Sequence, residues 1–229
     1  MIDKIINLVK DMDFQFWWPV DIYYHNKNGG DWRVEVIVGA ILTQNTKWNL
    51  VEKNIEYLKN KNFIFKLENI ENLDFNDIKV PFRARKLNTL KELSNFIINK
   101  YENIENFSKK DIYEIRKELL NIDGIGKETA DVIILYAIEK PIFVVDYYTK
   151  LFLNMFIEYD KLRKEIENAI IKNIDVIENL FISKIDKINK KLPYLSVYDF
   201  RKDLEIDKKL TIIYKELHAM IDIKMKSLK

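Results

Sequence analysis

The stretch Leu119–Ala130 reads LLNIDGIGKETA and contains two of the five glycines of the chain, one residue apart. Apolar residues at helical spacing lead up to this stretch and resume after it, which predicts one helix ending at about residue 120 and another starting at about Lys127. Gly124 and Gly126 permit a tight turn and a close approach of the backbone to a ligand. Because the first amides of the second helix are backed by its dipole, they would attract a phosphate.

A glycine pair at this spacing also occurs in ordinary turns between helices, so the spacing alone leaves both interpretations open. Ile122 and Ile125 are expected to anchor the turn in the core. The complete pattern resembles the helix-hairpin-helix of the endonuclease III superfamily of DNA glycosylases, in which the hairpin grips the DNA backbone without reading sequence, often with a monovalent cation. The resemblance implies DNA-backbone contacts from six residues: Ile122, Gly124, Gly126, Lys127, Glu128 and Thr129.

Helical periodicity dominates the rest of the chain, which predicts an all-α protein of about ten helices. Ile142–Val145 is the best strand candidate, although it is short and isolated. Residues 26–31 read as a loop, with Asp31 as the N-cap of the following helix. The fold implied by the resemblance is a single two-lobed glycosylase unit. Its central lobe would span about 31–140, and the second lobe would combine about 1–30 with 141–229.

The composition is that of an ordinary globular protein, with 48% hydrophobic and 32% charged residues among 229. A net charge of +2 means that any positive surface for nucleic acid must be local. The absence of cysteine excludes disulfides and cysteine-ligated iron–sulfur clusters in this chain. Without a signal-peptide pattern or a long apolar run, the chain is expected to be soluble, intracellular and nucleoid-associated in the cytoplasm, with no membrane partner.

A second motif follows the hairpin by about twenty residues. Two valines precede Asp146, and a lone aspartate after an apolar segment is usually a helix N-cap. At this distance from the hairpin, however, the resembled family carries its catalytic carboxylate. Breaking an N-glycosidic bond develops positive charge on the sugar, which a carboxylate stabilises, and the same group can activate the attacking water. Asp146 is therefore predicted to be catalytic, and it can serve as an N-cap as well.

A third motif, residues 39–48, is similar to the family segment whose glutamine enters the duplex where the target base has left, which makes Gln44 the predicted wedge. Tandem tryptophans upstream, together with Trp48, resemble the cluster-free 3-methyladenine glycosylase subgroup, whose tryptophans near these places form the pocket for the flipped base. Core packing is the alternative for such aromatics. The resemblance places Trp17, Trp18 and Trp48 in this pocket, where aromatic faces would attract a cationic purine.

Three departures from family patterns narrow the predicted activity. Glu128 stands where strand-cutting members have lysine, and Lys127 is rotated about 100° away along a helix. Ala40 stands where adenine-specific members have a glutamate that protonates the leaving base. Met220 stands where the cluster-free subgroup has lysine, so pocket detail is expected to differ, while His218 nearby is expected to be structural.

These observations predict a monomeric, monofunctional glycosylase that excises alkylated purines such as 3-methyladenine from double-stranded DNA, without a cofactor except a cation at the hairpin. Two alternatives remain at this point. One is a glycosylase that removes thymine or uracil from mismatches. The other is a non-catalytic DNA-binding protein, which would have no use for a carboxylate at Asp146.

Overall fold

The computed structural model describes residues 1–185 and 199–228, and within these ranges every regular element is helical. The all-α prediction is confirmed. Thirteen α-helices occur in the described ranges, and a π-helical turn, Ile133–Ala137, continues the ninth. They are α1 (Ile2–Asp11), α2 (Ile22–Asn28), α3 (Trp32–Leu42), α4 (Trp48–Asn60), α5 (Leu67–Ile70), α6 (Arg83–Tyr101), α7 (Ile104–Ser108), α8 (Ile112–Leu119), α9 (Lys127–Val132), α10 (Tyr147–Leu153), α11 (Tyr159–Lys172), α12 (Ile174–Ile185) and α13 (Ile206–Ser227).

The helices form two compact units. The central unit comprises residues 20–138, and the terminal unit comprises residues 1–19 and 139–229. This division differs from the expected boundary near residue 31, because α2 belongs to the central unit. Buried polar contacts join α2 to this unit: His25 of α2 lies 2.7 Å from Glu35 of α3, and Lys59 of α4 lies 2.9 Å from the other oxygen of the same carboxylate.

The core of the central unit surrounds α3, in which all nine residues from Val34 to Leu42 are buried. This helix packs against α4, α6, α9 and the π-helical turn. Asp31 caps α3 by accepting a hydrogen bond from the Arg33 amide, which confirms the predicted N-cap. Helix α9, the second helix of the hairpin that carries Gly124 and Gly126, is therefore itself packed on a buried central helix.

The terminal unit is organised around α13, a 22-residue helix with a buried stretch from Lys209 to Leu217. It packs against α1 and α10. Helix α10 begins directly after Asp146, so the packing of α10 on α13 determines where that aspartate lies within the unit.

Three details of local structure differ from what the sequence pattern suggested. Ile142–Val145 is buried but forms no strand, because its amides bond to side chains: Phe143 donates to Glu167 at 2.9 Å and Val145 to the Tyr159 hydroxyl at 3.3 Å. The predicted loop at 26–31 is shorter than expected, since α2 continues until Gly29 adopts a left-handed conformation. The expected helix number is too low because helices as short as α5 and α7 show no periodicity.

Among the described residues, no helix has both the length and the apolar character that crossing a membrane requires.

Candidate functional site

The hairpin of the central unit has the predicted bounds, with α8 ending at Leu119 and α9 beginning at Lys127. Ile122 and Ile125 are buried, at 7% and 6% exposure, as expected for anchors of the turn. Gly124 has φ of +86°, and a Cβ there would lie 2.2 Å from the Thr89 hydroxyl oxygen. That hydroxyl donates a 2.9 Å hydrogen bond to the carbonyl of the preceding residue, so the fold itself requires glycine at position 124.

Gly126 is different, because the protein does not need a glycine there. Its φ of −92° suits any residue, and a Cβ would meet no atom within 4 Å. It is the N-cap of α9 and is exposed, as is Glu128 two residues later. The open space in front of this helix start is where an external group could approach the backbone amides. Lys127 is partly exposed, whereas Thr129 is buried.

Gln44 lies against the hairpin. Its side-chain amide donates to the Gly124 carbonyl at 2.8 Å and to the Thr129 hydroxyl at 3.0 Å. The structure thus brings together two motifs, 80 residues apart, that the sequence identified separately. No part of this contact tests insertion into a duplex, so the wedge role stays a prediction.

Lys86 stabilises the loop that carries Gln44. Its ammonium donates to the Leu42 carbonyl at 2.8 Å and to the Thr46 hydroxyl at 2.6 Å, the two ends of that loop. Burial lowers the pKa of Lys86 to about 8. Sequence reasoning missed this residue, because nothing local marks a lysine whose partners lie 40 or more positions away.

Asp146 caps α10 in the terminal unit. Its Oδ1 accepts a 2.6 Å hydrogen bond from the Thr149 amide, while Oδ2 lies 3.8 Å from Nε2 of His218 on α13. The carboxylate is 14% exposed and follows two fully buried valines. One oxygen is therefore fixed by the helix cap, and the other takes no part in that cap and lies beside His218. The N-cap role is observed, and the catalytic role stays a prediction.

The tandem tryptophans also belong to the terminal unit. The rings of Trp17 and Trp18 lie 5.5 Å apart between centroids at an interplanar angle of 57°. Trp18 is 5% exposed, whereas Trp17 is partly exposed. Trp48 is the first residue of α4 in the central unit and is partly exposed. The structure brings the first two tryptophans together, and the pocket role of all three stays a prediction.

A further residue of this region was missed from the sequence. Glu216, on α13, accepts hydrogen bonds from the backbone amides of Gln15 at 2.6 Å and Phe16 at 2.9 Å, immediately before the tryptophans. Burial raises its pKa to about 7. A glutamate next to a lysine in a largely apolar stretch of helix is the only sequence signal, and it does not reveal a partner 200 residues away.

The positions that depart from family patterns are also located. Glu128 is exposed on α9, Ala40 is buried within α3 and Met220 is fully buried on α13. In the described ranges, no group of three or more His, Asp or Glu side chains could hold a metal ion.

The hairpin, the capped aspartate and the all-helical fold match a defined class of protein. Residues 38–175 match the model of the HhH-GPD superfamily of base excision DNA repair proteins, and the chain belongs to this superfamily as a DNA repair glycosylase. Over 96% of this chain, it is 37% identical to a Methanocaldococcus jannaschii protein whose name assigns it provisionally to the DNA repair glycosylases, and the match covers 85% of that protein.

Solved structures show the same relationship. The chain is similar to the H. pylori 3-methyladenine DNA glycosylase MagIII, solved with 1,N6-ethenoadenine bound, at 25% identity and a TM-score of 0.70, covering 100% of this chain and 96% of that one. An endonuclease III–DNA complex shares the fold, at 18% identity and a TM-score of 0.51, covering 75% of this chain and 73% of that one.

Proposed function

We propose that this glycosylase hydrolyses the N-glycosidic bond of alkylated purines such as 3-methyladenine in double-stranded DNA and leaves the strand intact. The observation that carries the proposal is the geometry of Asp146, which has one oxygen fixed by the α10 cap and the other 3.8 Å from Nε2 of His218. A carboxylate held in this way can stabilise positive charge on the sugar without reorganising during the reaction.

Hydrolysis without strand cleavage follows from the residues at the start of α9. Cleavage by the superfamily's bifunctional route needs an amine nucleophile that forms a Schiff base with the sugar. At the position of that lysine the chain carries Glu128, which cannot form one. In the proposed reaction, water attacks the anomeric carbon as the bond to the base breaks, and Asp146 accepts the water's proton.

The substrate class rests on three supports. The similar H. pylori enzyme is named a 3-methyladenine DNA glycosylase and was solved with a modified adenine base. Aromatic faces such as those of the adjacent Trp17 and Trp18 attract cationic bases. A base that is already cationic leaves without protonation, which suits a chain with alanine rather than glutamate at position 40.

DNA would be bound through the hairpin. Endonuclease III of the same fold has been solved on DNA. The exposed start of α9 at Gly126 offers amides to a phosphate, and such contacts position a protein on DNA without reading its sequence. A monovalent cation is compatible with this hairpin: the carbonyls of Ile122, Asp123 and Gly124 each already accept one hydrogen bond, and each retains a second lone pair.

The test is base release from four matched duplexes carrying 3-methyladenine, 7-methylguanine, a G·T mismatch or a G·U mismatch. Faster release of the methylated purines by purified protein is expected. Faster release of thymine or uracil would replace the substrate class with mismatch repair, and binding without release of any base would overturn catalysis.

A further inference from the structure

The segment that leads into Trp17 and Trp18 has a backbone conformation that is unfavourable on its own. Phe16 has φ of +53°, a left-handed conformation that costs an aromatic residue roughly 1–3 kcal/mol. Such a conformation persists only where surrounding contacts impose it. Contacts of this kind include the two hydrogen bonds from the amides of Gln15 and Phe16 to Glu216.

A buried glutamate such as Glu216 is an unfavourable residue type for a contact that only stabilises the fold. It is 3% exposed, and a buried carboxylate loses solvation that its hydrogen bonds only partly replace. The neighbouring Lys215 forms its ion pair with Glu139, at 2.8 Å. Glu216 instead uses both of its oxygens on consecutive backbone amides, an arrangement that specifies one conformation of the segment.

The helix that carries Glu216 also contacts the element that positions Asp146. Helix α13 packs against α10, and His218 on α13 lies 3.8 Å from the Asp146 carboxylate. A single helix thus bears on both the tryptophan pair and the aspartate within the terminal unit. A helix is rigid over one or two turns. The distance between Glu216 and His218 on α13 is therefore fixed, and so is the placement of the segment that Glu216 holds relative to the side chain that lies beside Asp146.

We propose that Glu216 is a positioning residue, which acts through the backbone of Gln15 and Phe16 to keep Trp17 and Trp18 in a fixed place relative to Asp146 and thereby sets the rate at which the bound base is excised. This inference rests on the proposed function, because it assigns the tryptophans to the base. It adds a residue on α13 that contacts neither base nor sugar.

A double-mutant cycle tests the coupling. Glu216→Gln leaves one acceptor oxygen and turns an NH2 group toward an amide donor, so it should lower single-turnover release of 3-methyladenine at least tenfold. Trp17→Ala should also lower this release rate. The double variant should release the base at a rate within twofold of the Trp17→Ala rate, because both substitutions disturb the same tryptophan. If Glu216→Gln does not fold, Glu216→Asp, which withdraws the carboxylate by one methylene, takes its place.

Glu178→Gln is the matched control. Glu178 on α12 is also buried and pairs with Lys209 of α13 at 3.0 Å, but it makes no contact with residues 13–18 among its described hydrogen bonds. This variant should release base within twofold of the wild-type rate, and its effect should add to that of Trp17→Ala. A merely structural Glu216 would behave in the same way.

Two outcomes of the activity measurements overturn the inference, and they are distinguishable. Additive effects of Glu216→Gln and Trp17→Ala in an active enzyme would remove the positioning role and leave the proposed function intact. A wild-type protein that releases no base would remove both. Amide hydrogen exchange tests the two hydrogen bonds to Glu216 directly and does not depend on catalytic activity. The Gln15 and Phe16 amides should exchange at least tenfold faster in Glu216→Gln than in Glu178→Gln, and equal exchange would contradict the proposal.

Discussion

Replacing the two hairpin glycines one at a time should show which glycine the fold requires and which one DNA binding requires. Gly126→Ala adds a methyl group that meets no protein atom within 4 Å, at a φ of −92°. Alanine is a weaker N-cap than glycine but restricts the unfolded chain, and these opposing effects should keep the change in unfolding free energy within about 1 kcal/mol. Gly124→Ala combines φ of +86° with a 2.2 Å approach to Thr89, and should cost roughly 2–4 kcal/mol.

Gly126→Ala should weaken DNA binding although it hardly changes stability. A methyl group in front of α9 would obstruct a phosphate, and losing one or two charge-assisted hydrogen bonds of about 1.5–3 kcal/mol each predicts at least a tenfold rise in Kd. Urea unfolding measures the first effect, and fluorescence anisotropy with two duplexes of unrelated sequence measures the second.

Two results would refute this reasoning. Wild-type affinity in Gly126→Ala would mean that the open space before α9 is not a phosphate site. A loss confined to one of the two duplexes would mean that the hairpin reads bases rather than the backbone.

Three further outcomes are expected. Asp146→Asn should retain the α10 cap through its amide oxygen and bind an abasic-analogue duplex normally, yet release 3-methyladenine at least a thousandfold more slowly; near-normal release would contradict the catalytic role. Borohydride should trap no covalent protein–DNA complex, since Glu128 cannot form a Schiff base, and a trapped complex would disprove the monofunctional mechanism. Glu216 should make the protein less stable as pH rises from about 4.5 to 7, because in that window the folded state binds more protons than the unfolded chain. The fall in unfolding free energy, roughly 3 kcal/mol, should disappear in Glu216→Gln when urea unfolding is measured at pH 5 and pH 8.

Local features of the structure were predictable from the sequence. The helical class, the end of α8, the start of α9 and the N-cap at Asp31 all follow from interactions within a few residues: apolar periodicity, glycine turns and side-chain caps. The family was recognisable for the same reason, since each of its motifs is a short continuous segment. The catalytic role of Asp146 was inferred from the characteristic distance between its motif and the hairpin, and it stays a prediction.

Contacts between distant segments were decided only by the tertiary structure. Ile142–Val145 has the composition of a strand, yet its amides find Glu167 and Tyr159 instead of a neighbouring strand. Gly124 is required by Thr89, which lies 35 positions before it, while the equally suggestive Gly126 is not required by any protein atom. The partners of Glu216 are backbone amides 200 positions away, and because every residue except proline has such an amide, no residue type in the sequence could have identified them.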